Sequence, residues 1–115
     1  MESVQTSFDI ETKSHIAAVI TETLQKGGLE VSITEFGNQI IVDALSPQPK
    51  DRDLRNSNFA RALTYTVQDN GVAGPGPSEF GKRKIDAMSQ RVEEELACRG
   101  LTYDNSTGMY VGEFK

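Results

Sequence analysis

Two β-rich runs, Leu29 to Phe36 and Gln39 to Leu45, meet at Gly37-Asn38, and no other stretch constrains the fold of this chain as much. A Gly-Asn pair suits a two-residue hairpin turn, where glycine takes a positive φ at no steric cost. If Phe36 pairs with Gln39, Ile33 stands opposite Val42, Val31 opposite Ala44 and Glu35 opposite Ile40. One face then carries Val31, Ile33, Ile40, Val42 and Ala44. The other carries Ser32, Thr34, Gln39 and Asp43, with Phe36 and Ile41 as exceptions. A slip of one residue would exchange the two faces, so the sorting itself specifies the register. The chain therefore builds a half-buried antiparallel sheet, and that sheet needs an apolar cover.

The cover reads as helical. Ile16, Ile20 and Leu24 recur at spacing four beside Ala17, which makes one apolar stripe. Ser7 or Asp9 can cap its start, Asp9 and Glu11 complement the positive end of the helix dipole, and Gly27-Gly28 closes it. After the second strand, Ser46-Pro47-Gln48-Pro49-Lys50 stops the pairing. Phe59, Leu63 and Val67 then fit a helix between Asn56 or Ser57 and Asn70-Gly71. Leu63, Tyr65 and Val67 also fit a strand, with Thr64 and Thr66 between them. The helix is favoured because Phe59-Ala60-Arg61-Ala62 supports its start and both ends are marked. The longest helix is predicted over Glu79 to Arg99, with a buried stripe of Ile85, Met88, Val92 and Leu96 ended by Gly100. Leu101 to Asp104 and Met109 to Phe114 read as a second hairpin around Asn105-Ser106-Thr107-Gly108. The expected order is α, ββ, α, α, ββ. It predicts an α+β fold over residues 1–115 as a single domain, two hairpins forming an antiparallel sheet packed on one face by helices.

A chain of 115 residues buries roughly two thirds of the surface its unfolded form exposes, enough to fold without disulfide or metal. Cys98 is the single cysteine, so no intramolecular disulfide can form, and a reducing cytoplasm is the expected compartment. The first residues carry no basic and apolar leader pattern, and no stretch approaches the ~20 apolar residues of a membrane span. The net charge of −5 works against binding duplex DNA through its backbone.

One stretch invites a chemical reading. Gly71-Val72-Ala73-Gly74-Pro75-Gly76-Pro77-Ser78 delivers the chain to a helix start followed by Lys82, Arg83 and Lys84. The spacing from Gly76 to Gly81-Lys82 matches a phosphate loop up to the position of its hydroxyl residue, where Arg83 stands instead. Pro77 removes a backbone amide from the cradle, so a nucleotide-hydrolase loop is rejected. A weaker reading keeps Gly76, Ser78, Gly81, Lys82, Arg83 and Lys84 as a site for a phosphate-bearing small molecule or nucleotide. Both this basic cluster and Glu93-Glu94-Glu95 sit at the helix end that disfavours their charge. Charge runs on helices are more often solvated faces than sites.

No catalytic constellation emerges. His15 is the only histidine, it has no cysteine near it in sequence, and zinc ligands of the usual kind are lacking. Cys98 lies near a helix C-terminus, where the dipole works against thiolate formation. No nucleophile-elbow motif or spaced carboxylate pair is present. The expectation is a small acidic, non-catalytic interaction protein of regulatory or inhibitor-like character, with no cofactor and no metal. Its surface would be Glu93, Glu94, Glu95, Tyr103 and Tyr110, its partner another protein, basic or nucleic-acid-handling, and its own state a homodimer. Single-stranded nucleic-acid binding through the tyrosines is the third reading, weakened by the acids interleaved with them.

Overall fold

The computed structural model describes residues 7–45, 61–76 and 84–115, with side chains except at 45, 61–62 and 84–87. The order is α1 (Ile10–Lys26), β1 (Glu30–Phe36), β2 (Gln39–Leu45), β3 (Arg61–Gln68), β4 (Gly71–Ala73), α2 (Lys84–Cys98), β5 (Leu101–Asp104) and β6 (Met109–Gly112). The strands form one antiparallel six-stranded sheet in the order β1-β2-β3-β4-β6-β5. With two helices on that sheet, the protein has an α+β fold.

The first hairpin has the register its sequence dictates, with Phe36 opposite Gln39, Ile33 opposite Val42 and Val31 opposite Ala44. Gly37 takes φ +62° and Asn38 does not enter the positive region, so the turn places its glycine at the first central position. Asp9 rather than Ser7 caps α1, its Oδ1 accepting from the Thr12 backbone N–H at 2.8 Å. At the other end Gly28 takes the left-handed conformation, φ +91°, and the Gly28 N–H donates to the Gln25 carbonyl at 3.0 Å.

The third element corrects the sequence reading. Leu63 to Val67 belongs to strand β3 and not to a helix. Leu63, Tyr65 and Val67 are buried while Thr64 and Thr66 stand on the opposite face at half exposure. β-Branched and aromatic residues at spacing two favour this state, and pairing with β2 along the strand outweighs the local helical signal. Asn70-Gly71, read as a helix end, instead closes a second hairpin: Asp69-Asn70 is its turn, and Gly71 opens β4 opposite Gln68. The observed order is therefore α, ββ, ββ, α, ββ. Residues 79–83 of the predicted long helix lie outside the described residues, as does Phe59.

Both helices lie on one side. Ile16, Ile20 and Leu24 of α1 and Met88, Val92 and Leu96 of α2 join Val42, Tyr65, Val67, Val72, Leu101 and Tyr110 in one buried cluster. The sheet ends tightly at β5 and β6. A Cβ on Gly112 would fall on the Gly100 carbonyl, and one on Gly100 would fall on the Glu113 carbonyl. Both glycines also hold positive φ, +139° and +98°, so side chains are refused there twice over.

Candidate functional site

Three features stand out once the sheet is assembled. The first gathers all three tyrosines of the chain beneath the Gly/Pro segment. The Tyr110 hydroxyl donates to the Pro75 carbonyl at 3.0 Å. The Tyr103 and Tyr110 rings are tilted at 59° with centroids 5.0 Å apart. A Cβ on Gly76 would meet the Tyr103 ring at 2.7 Å, and one on Gly74 would meet the Tyr65 ring at 2.6 Å. Glycine at 74 and 76 thus lets the backbone lie flat on two aromatic rings. Burial pushes the Tyr65 and Tyr110 hydroxyls well above the ordinary tyrosine range, with the Glu93 carboxylate adding to the effect on Tyr110. The Tyr65 hydroxyl is buried and has no hydrogen-bond partner among the described residues. This cluster is the packing beneath a backbone segment, and at neutral pH its buried phenols are held protonated.

The second feature is Lys13, which is buried on the apolar side of α1. Its Nζ donates to the Asn38 carbonyl at 2.7 Å and to the Asp69 carboxylate, which is itself largely exposed. One ammonium thereby ties α1 to the turns of both N-terminal hairpins. Sequence reasoning assigned Lys13 no role, although it lies three residues before Ile16 and four before Ala17, in line with the stripe.

The third feature is the sheet face turned away from the helices. Across its middle the register aligns Thr34, Ile41, Thr66, Ala73, Met109 and Asp104. Ile41, Thr66, Ala73 and Met109 in this row are half-buried. Beside it the Thr64 hydroxyl donates to Asp43 Oδ1 at 2.6 Å, and Phe36 is 71% exposed. Alternation along the strands places Glu30, Asp43 and Asp104 on this face. Among the described side chains it carries no lysine or arginine. Phe36 and Ile41, the two exceptions to the sorting of the first hairpin, were its signal in the sequence.

The residues singled out in the sequence divide between described and undescribed positions. Gly76 lies on Tyr103, whereas Ser78, Gly81, Lys82 and Arg83 lie outside the described residues. Lys84 opens α2, its side chain not described. Glu94 and Glu95 are exposed on α2, and Glu93 is half-buried. Tyr103 is half-buried. Tyr110 offers no exposed surface: it is fully buried, and its hydroxyl donates to the Pro75 carbonyl. Among the described residues no group of three or more histidine, cysteine or carboxylate side chains is placed to hold a metal ion. No helix among them is long and apolar enough to cross a membrane. No protein-family model, curated protein sequence or solved structure matches this chain.

Proposed function

We propose that this chain is a small acidic interaction protein that acts by binding another protein, without catalysis, and that the partner seats on the face of the sheet turned away from α1 and α2. The observation carrying this reading is the make-up of that face. Half-buried Ile41, Ala73 and Met109 with exposed Phe36 supply apolar contact, and threonines between them supply hydroxyls. That mixture of apolar centre and polar surround suits a protein interface. The acids Glu30, Asp43 and Asp104, without a described cation beside them, favour a partner with a basic surface. The same charge opposes nucleic acid, whose phosphates need lysine and arginine.

The experiment is affinity capture with the wild-type chain and with Ile41→Arg and Thr66→Arg variants, each shown to be folded by circular dichroism. A Glu94→Lys/Glu95→Lys variant serves as the comparison for the acidic ridge of α2. The expected outcome is a partner held by the wild type, lost by both face variants and retained by the ridge variant. Folded Ile41→Arg and Thr66→Arg proteins that hold the partner as firmly as wild type would place binding elsewhere.

A further inference from the structure

We infer that the outer edge of β1 is a self-recognition site, and that two copies of this chain join there by antiparallel pairing of Glu30–Phe36 about a twofold axis through Ile33. The inference goes beyond the partner reading and does not depend on it, because the edge and the open face are different surfaces.

β1 is seven residues long, and among the described residues only β2 pairs with it. Natural edge strands are protected by proline, lysine, a bulge or extreme shortness. β1 has no proline, lysine or bulge of its own, the register shift in this part of the sheet lies between β2 and β3, and the charges of β1 are Glu30 and Glu35 alone. The opposite edge, β5, has only four residues. Ile33 makes the contrast plain. It points to the helix side, opposite fully buried Val42, yet is 51% exposed. The apolar face of β1 extends past the cover that α1 gives it.

The hydrogen-bond pattern selects the register. A two-residue turn makes Phe36 and Gln39 a hydrogen-bonded pair, and the pattern alternates along the ladder. Phe36, Thr34, Ser32 and Glu30 therefore spend their backbone groups on β2, while Val31, Ile33 and Glu35 direct theirs outward. With Ile33 opposite its own copy, Val31 faces Glu35 of the second chain and Glu35 faces Val31. All outward N–H and C=O groups of β1 then find partners. Shifting either way by two residues leaves one of the three residues opposite a position outside the strand.

The side chains agree with this register. Ile33 meets Ile33 on the helix side, and Ser32 meets Thr34 on the open side, both favourable cross-strand pairs. Glu30 falls opposite Phe36 and Glu35 opposite Val31, so no glutamate faces a glutamate despite the acidity of the chain. A perpendicular twofold keeps all helices on one side and makes a continuous sheet of twice six strands. The interface is isologous and uses the β1 edge of both copies, so assembly closes at two.

Two measurements on the full chain test this. Sedimentation equilibrium of the wild type should give twice the chain mass, with monomer appearing on dilution, whereas Ile33→Lys should be folded and monomeric. In amide exchange followed by NMR, Val31, Ile33 and Glu35 should gain protection as concentration rises, while Ser32 and Thr34 stay protected throughout. The exchange result stands even if Ile33→Lys fails to fold. A wild type monomeric at every concentration overturns the inference. So does a dimer that survives Ile33→Lys, or one whose Val31, Ile33 and Glu35 amides exchange independently of concentration.

Discussion

At the scale of single residues, Tyr65 and Tyr110 are the same side chain in opposite circumstances. Both are buried on the helix side of the sheet, but Tyr110 donates to the Pro75 carbonyl and Tyr65 finds no partner among the described residues. A buried hydroxyl without a partner loses its hydration uncompensated, whereas a satisfied one contributes a modest net gain. Tyr65→Phe is therefore expected to stabilise the protein by on the order of 1 kcal/mol, and Tyr110→Phe to destabilise it by about as much. Thermal or urea unfolding of the two variants checks this, and the same sign for both would show the environments misread. The sequence announced neither role. It contained the tyrosines and the glycines as separate features, and only folding lays Gly74 on Tyr65 and Gly76 on Tyr103. Contacts between residues 9 and 27 positions apart leave no trace in spacing.

At the scale of elements, the first hairpin was legible because two local signals agreed, the turn dipeptide and the period-two sorting. β3 was not, because its signals conflicted. Phe59, Leu63 and Val67 satisfy a helix, and Leu63, Tyr65 and Val67 satisfy a strand equally well. What decided between them was the open edge of β2, a long-range fact absent from any window of the sequence. The attachment of α1 to these strands rests in part on Lys13, which reaches the turns of both N-terminal hairpins. Lys13→Met keeps the apolar stem and removes the ammonium. It is expected to cost about 1.5–3 kcal/mol, the range for hydrogen bonds involving a charged group. Asp69 is 62% exposed, so its carboxylate returns to water when the ammonium is gone and adds no buried-charge penalty. Faster amide exchange at the 37–38 and 69–70 turns should accompany the loss, and unchanged stability would mean the ammonium is replaceable by solvent.

At the scale of the whole molecule, ionisation bounds the range of stability from both sides. Hydrogen bonds from the Thr12 backbone hold the Asp9 carboxyl below its ordinary value of 3.8, and bonds from Ser106 do the same for Asp104. A depressed carboxyl contributes stability that is present above the unfolded-chain value and lost as pH falls through the folded one. Tyr65 and Tyr110 act in the opposite sense. Burial raises them, so their contribution is intact below the ordinary 10.0 and is lost as pH climbs from there towards the folded values. Urea midpoints should therefore fall in strong acid and again in strong alkali. An Asp9→Asn/Asp104→Asn variant, which keeps the capping oxygens without the titration, should flatten the acid limb alone. An acid limb as steep as that of wild type would assign the loss to other groups. The strand order, finally, carries a consequence for the order of events during synthesis. β5 is translated before β6 but reaches the rest of the sheet only through it. α1 and the first four strands can assemble while translation continues, yet β5 has no strand to pair with until Met109–Gly112 has left the ribosome. The sheet is thus closed on one side by a strand that only a later-made strand can hold in place.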